Sequence, residues 1–243
     1  TDATSGIARE FTEKVHFHPW EGSFSKARNQ ALAYATGDWV FQIDGDEELT
    51  AGSGEAMRDA VRGAGDADAL LVNIVSIYGD GGKRASHSFE RLFCNNGIIH
   101  YEGIVHNRVV GFRTLRPTRV ELMHYGYNLE EKKANEKILR TTELLRRQIL
   151  DDPEDPMPHH YLGVACLSQS RFEEAARESE LAIRLAEARG DGHPLYIWSH
   201  HNAAMAFLRL GNIDRAEELS TLALGKCPDH LDSLYTLAFV HAE

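Results

Sequence analysis

The chain lacks any apolar run near the roughly 18–20 residues that a membrane-spanning helix needs. Its start, TDATSG, has neither a methionine nor a signal-peptide pattern. No transmembrane segment and a cytoplasmic setting are therefore expected. Cysteine is scarce: Cys94, Cys166 and Cys227 are far apart, odd in number and never in a CxxC pair. That excludes a disulfide framework or a cysteine zinc site and leaves three small hydrophobes in a reducing compartment. Positive charge is short as well, with 26 Lys and Arg against 37 Asp and Glu and a formal net charge of −11. Such a surface argues against nucleic acid or an anionic membrane as partner. An acidic enzyme acting on anionic substrates would need a cation or local arginines. His16, His18, His159, His160, His200 and His201 show no HExxH or other ligand spacing, so the two HH pairs are expected on the surface or in a groove of helices.

What is present is enough for a packed core. The chain has 243 residues, 42% of them hydrophobic, which suits one large or two modest domains without staples. Up to about residue 125 it alternates strand and helix patterns. EKVHFHPW is short and β-like. SFSKARNQALAYAT is helical, with Ser23 or Ser25 as N-cap and Gly37 as the stop. DWVFQI is a continuous apolar run of strand length, as in a sheet covered on both faces. GSGEAMRDAVRGAG is a second helix, DALLVNIVSIY a long β-branched strand, and SHSFERLF and RVELMHY are further strands with NNG as a turn. This is α/β grammar, and it predicts a mainly parallel sheet.

After residue 128 the strand patterns stop. EKKANEKILRTTELLRRQILDDPEDP reads as an amphipathic helix ended by Pro153 and Pro156. Two similar helix pairs follow, aligning Leu162-Gly163 with Ala203-Ala204, Ala175 with Ala216, and Ala182 with Ala223. Their offset is a 34-residue period plus a seven-residue insertion supplied by EARGDGHP, and Pro153 and Pro228 then fall at one repeat position. Small residues at helix crossings and a terminal Pro at this period resemble tetratricopeptide repeats. Ser179 and Ser220 stand where that family usually has an aromatic. A helix pair cannot bury its apolar face alone, so the units are expected to stack. The expected division is an α/β domain over 1–128 and an all-α repeat domain over 129–243.

The stretch VFQIDGDEELT ends an apolar run in Asp44, Asp46 and Glu47, with Gly45 allowing a tight turn. Two readings are open. Acids before a helix suit its N-terminal dipole. Alternatively, carboxylates at a strand end hold a hard divalent cation whose open positions take phosphate oxygens.

The surrounding residues bear on the choice. Trp20, Phe24, Ala27, Arg28, Asn29, Ala31, Leu32, Gly37, Asp38, Trp39, Asp44, Asp46 and Glu47 match in order a W…F…aRN.al..a.gdWvl.lDaDE run. ERLFCNNGIIHYEGIVHNRV and ELMHYGY follow at the right distance. The whole of residues 1–128 resembles family 2 inverting glycosyltransferases of the GT-A fold, of the SunS-like and lipopolysaccharide-core type. In that family the chain before the Trp20 region supplies two further strands that hold the nucleotide base. A sheet without its first strands is expected here, with an open edge on the strand formed by 39–43.

The resemblance implies roles. Asp46 would be the main metal carboxylate for Mg²⁺ or Mn²⁺, with Asp44 supporting the metal or touching the ribose. Arg28, Asn29 and Arg91 would face the nucleotide-sugar donor, the plain alternatives being a surface ion pair for Arg28 and pairing with the neighbours of Glu90 for Arg91. His124 would complete the metal shell, or else be a half-buried strand histidine. Inversion needs a base for the acceptor hydroxyl, and where the family has His-Glu this chain has His106-Asn107. Glu102 and His106 are the candidates, Glu102 preferred as a carboxylate. The expected function is transfer of a sugar to a saccharide, lipid-linked or protein acceptor, with a protein partner for the repeats. The alternative is a non-catalytic repeat-based binding module carrying a degenerate transferase domain. A metal phosphatase or nucleotidyltransferase is disfavoured, because no phosphate loop or second carboxylate pair accompanies the acids.

Overall fold

A computed structural model describes residues 3–78, 83–126, 131–193 and 195–241. The chain divides into two compact units, Thr1–Ala134 and Asn135–Glu243. The expected boundary at 128/129 lies outside the described residues.

The first unit opens with α1 (Thr4–Arg9) and α2 (Phe24–Leu32). Ser23 caps α2, its hydroxyl accepting from the Lys26 N–H, and the helix ends at Leu32, short of Gly37. Next come β1 (Trp39–Phe41), β2 (Glu47–Leu49), α3 (Ser53–Arg62), β3 (Ala69–Tyr78) and β4 (Lys83–Cys94). A short hairpin of β5 (His100–Glu102) and β6 (Arg108–Val110) precedes β7 (Leu115–His124).

Five strands form one sheet in the order β1-β4-β3-β7-β2. The expectation of a mainly parallel sheet is corrected: only β3 and β7 run parallel, and the other three pairings are antiparallel. The reason is local. β3 and β4 pair directly from Ala69↔Phe93 out to Tyr78↔Lys83, a long hairpin that needs no crossover helix. EKVHFHPW, expected as β-like, has no ladder partner among the described residues and forms no strand. β1 pairs with β4 alone, so the open edge expected on this strand is present among the described residues.

Both sheet faces are covered, which explains the unbroken apolar run around β1. Trp39 and Phe41 pack with Leu70, Val72, Leu92 and Leu122 beneath Ala56, Met57, Ala60 and Val61 of α3. Val40, pointing the other way, joins Ala69, Phe93 and Tyr101 beside Leu32 of α2. Leu70, Leu92 and Leu122 are almost wholly buried, each worth about 1.5–3 kcal/mol.

The second unit is all helix: α4 (Glu131–Asp151), α5 (Pro156–Ser168), α6 (Phe172–Ala188), α7 (Leu195–Arg209), α8 (Ile213–Lys226) and α9 (Leu231–Val240). Its equivalent positions behave alike. Ala175 and Ala216, Ala182 and Ala223, and Ser179 and Ser220 are all completely buried. At one crossing, a Cβ on Gly163 would run into Ser179 Oγ, so the small residue is required there. The HH pairs depart from expectation: His159, His160 and His200 are buried. Burial is tolerated because each ring has a partner, respectively Glu178, the Ser199 hydroxyl and the Tyr196 carbonyl. Cys94, Cys166 and Cys227 are free thiols. No helix among the described residues is long and apolar enough to cross a membrane.

Candidate functional site

The acidic segment continues into strand β2, not into a helix, so it does not cap one. Since β1 and β2 occupy opposite edges of the sheet, residues 42–46 must pass from one edge to the other. On the way Asp44 meets Arg91 of β4, and Asp46 meets His124 of β7, with β3 between those two strands.

Asp44 is gripped by two guanidinium groups. Arg28 Nη2 donates to both of its oxygens, at 3.1 and 3.2 Å, and Arg91 Nη1 donates to Oδ2 at 3.1 Å. Gln42 Nε2 adds a bond to Oδ1 at 3.0 Å. Burial alone would raise the Asp44 pKa. The charges of Arg91 and Arg28, with the bonds from Arg28 and Gln42, outweigh it and hold the carboxyl below its ordinary range. Glu47 anchors the same cluster from a buried position. One of its oxygens accepts from the Asp44 N–H at 2.7 Å and the other from Arg91 Nη2 at 2.9 Å.

α2 is fastened to this cluster through Asn29. Its Nδ2 donates to the Tyr101 carbonyl and its Oδ1 accepts from the Tyr101 N–H, both at 2.9 Å. Asn29, expected to face the donor, thus has its amide on the backbone of β5. The Tyr101 ring lies 5.5 Å from the Arg28 guanidinium carbon, and its hydroxyl donates to Gln42 Oε1 at 3.3 Å. A cavity of about 190 Å³ opens here, lined among others by Arg28, Gln42, Arg91, Tyr101, Asn107 and Arg108.

The second acid has different company. Asp46 Oδ2 lies 3.3 Å from His124 Nε2, and His124 Nδ1 lies 3.3 Å from the buried Ser76 hydroxyl. Gly126 closes over the pair: a Cβ there would collide with Asp46 Oδ2 and come within 2.7 Å of His124 Nε2. Among the described residues no group of three or more His, Cys, Asp or Glu is placed to hold a metal. A carboxylate and an imidazole nitrogen this close, with half of the Asp46 side chain open to solvent, fit a divalent cation that takes its other ligands from water and phosphate.

Glu102 ends β5, and His106 lies in the loop that leads to β6. Glu102 is half exposed beside His100 (3.4 Å) and Arg108 (3.8 Å). His106 has φ +48° in the loop between β5 and β6. Neither lines the 190 Å³ cavity, although Asn107 and Arg108 do. Sequence reading did not single out Ser76, Gln42, Tyr101 or Gly126. The glycine alone left a local trace, following directly on the HY of the last strand.

Residues 1–121 match the model of glycosyl transferase family 2, and residues 156–229 match a tetratricopeptide repeat model. The chain is 27% identical over 245 residues to a TPR repeat-containing protein of Synechococcus elongatus, covering 96% of this chain and 59% of that protein. It is 26% identical over 173 residues to the SPbeta prophage-derived glycosyltransferase SunS of Bacillus subtilis, covering 67% of this chain and 40% of that one. The chain therefore spans only part of the length of these relatives. The N-terminal domain of stress-induced protein-1 from C. elegans superimposes with a TM-score of 0.40 at 13% identity, over 44% of this chain and 84% of that domain. The chain thus carries a domain of glycosyl transferase family 2 over residues 1–121, joined to tetratricopeptide repeats over residues 156–229.

Proposed function

We propose that the first unit binds a nucleotide-sugar donor for an inverting, metal-dependent transfer to an acceptor hydroxyl. The observation that carries this is the division of the two acids, with Asp44 held by Arg28 and Arg91 and Asp46 set against His124 beneath Gly126. Asp46 and His124 would hold Mg²⁺ or Mn²⁺. When bound, the cation neutralises charge on the departing nucleoside diphosphate.

The chain's own residues do the rest. Arg28 and Arg91 present guanidinium groups to the cavity that Tyr101 and Gln42 also line, where an anionic diphosphate is stabilised by charge and forked hydrogen bonds. Asp44 holds both arginines in place, and Glu47 holds Arg91. Asn29 acts by position, locking α2 to β5 so that Arg28 and Tyr101 keep their spacing. Glu102 is the proposed base for the acceptor hydroxyl. Its partner Arg108 lines the cavity, and on this reading the β5–β6 hairpin brings the acceptor to the donor. The acceptor is a saccharide, a lipid-linked group or a protein. The repeat helices offer a surface for a protein partner, and the setting is cytoplasmic.

A second reading has one specific observation behind it. Asn107 stands where a family carboxylate is expected, and the relative matched over 96% of this chain is named for its repeats. On that reading the first unit is a degenerate transferase domain and the repeats bind. A thermal-shift panel of nucleotide sugars with and without Mn²⁺ separates the two. Stabilisation by one nucleotide family that requires Mn²⁺ supports the transferase. No shift with any nucleotide, with or without the ion, supports the binding module.

A further inference from the structure

We propose that Ser76 is the positioning residue of His124, its hydroxyl holding the imidazole in place through either tautomer. The inference rests on the reading of Asp46 and His124 as cation ligands. Ser76 is buried in β3 and stands directly across from His124 in the parallel β3–β7 register. Its Oγ lies 3.3 Å from Nδ1, while the opposite ring nitrogen faces Asp46 Oδ2, also at 3.3 Å. The two contacts bracket the ring along its polar axis, and the Gly126 backbone closes the side next to Nε2.

A neutral imidazole carries one proton on its two nitrogens. With a carboxylate oxygen opposite Nε2 to accept, that proton sits on Nε2, and Nδ1 accepts from the Ser76 hydroxyl. Committing the Nε2 lone pair to a cation moves the proton. It leaves Nε2 to solvent, Nδ1 takes one up, and the proton count of the ring is unchanged. The Ser76 hydroxyl then rotates and accepts from Nδ1–H. A hydroxyl serves both states because it both donates and accepts. A carbonyl or carboxylate at this place would serve only the second, and a methyl group neither. Partners of this kind orient metal-binding histidines, and their loss typically lowers metal affinity about 10- to 100-fold.

The test uses the full chain as Ser76→Ala and Ser76→Thr, with circular-dichroism melting to confirm that both fold. The first readout is the ¹⁵N spectrum of His124 in metal-free protein. Wild type and Ser76→Thr should show the Nε2–H tautomer, and Ser76→Ala a mixture. The second is Mn²⁺ binding in the presence of inorganic pyrophosphate, followed by the electron-paramagnetic-resonance signal of the free ion. Affinity should fall about ten-fold or more in Ser76→Ala and return in Ser76→Thr. Wild-type binding with unchanged affinity in Ser76→Ala overturns this inference alone. A wild-type chain that takes up no Mn²⁺ overturns the cation-site reading and this inference with it.

Discussion

Asp46 Oδ2 and His124 Nε2 lie 3.3 Å apart across 78 residues of sequence, while Asp44, two residues before Asp46, is turned to Arg28 and Arg91. The acids of one short motif are therefore committed to different strands, one on each side of β3. Asp44 is already neutralised by its arginines, which makes it a poor cation ligand and a good fastener. Asp46 keeps half its side chain in solvent beside a ring nitrogen, which suits a ligand. This division leads to tests that treat the two residues differently.

Gly126→Ala should disable the Asp46–His124 pair with little cost to the fold. The added Cβ collides with Asp46 Oδ2, and the exposed carboxylate can swing away. Stabilisation by Mn²⁺ with nucleotide should be lost, with the melting temperature of the unliganded protein lowered by only about 2–4 °C. Differential scanning calorimetry with and without the ion checks both halves.

Arg91→Met should be the costliest substitution in the site. It strands Glu47, whose side chain is 2% exposed, and removes one of the two guanidinium groups on Asp44. Leaving a buried charge unpaired costs about 3–5 kcal/mol. The doubly altered Arg91→Met, Glu47→Leu chain should recover much of that loss, because no buried charge then remains without a partner. Urea unfolding measures both.

The acid limb of stability should report Asp44. Its folded-state pKa is depressed, so its contribution is present above the ordinary aspartate value of about 3.9 and is lost as pH falls through the folded value. Asp44→Asn should flatten the loss of stability below about pH 4 and leave the profile near neutrality parallel to wild type. The effect is moderated because over a third of the Asp44 side chain is exposed. Denaturation midpoints measured from about pH 2.5 to about pH 7 follow it.

In the repeats, Ser179→Ala and Ser220→Ala should be neutral or stabilising by up to about 1 kcal/mol each. Both hydroxyls are buried, and neither finds a hydrogen-bond partner among the described residues. Gly163→Ala alone should cost about 1–3 kcal/mol by overpacking against Ser179. Combining it with Ser179→Ala should recover part of that cost, because the colliding Oγ is gone. Chemical denaturation of the single and double variants reads the coupling.

Local signals carried far in the sequence. Ser23 as N-cap, the apolar run of β1, the glycine-bounded α3 and the repeat alanines all depend on neighbours or on a fixed period, and all stand where expected. Strand direction has no such period. Nothing in DALLVNIVSIY or SHSFERLF says that β3 and β4 pair as a hairpin, and the helix-strand alternation before them pointed the other way. EKVHFHPW had the composition of a strand but no partner to ladder with among the described residues. Asn29 was expected on the donor side because the family resemblance implies it. Its two bonds to the backbone of Tyr101, 72 residues on, depend on the fold and leave no trace in the local sequence. Ser76 and Gly126 act through shape and distance, which composition does not encode.

The role proposed for Asp46 is to hold a cation through which the first unit engages a nucleoside diphosphate. Isothermal titration of UDP and GDP into the full chain with saturating Mn²⁺, repeated without the ion and with Asp46→Ala, tests it most directly. Binding of one nucleotide should require Mn²⁺ and disappear in Asp46→Ala while the fold is retained. Binding that is indifferent to both Mn²⁺ and Asp46, or no binding of either nucleotide by the wild-type chain, would contradict it.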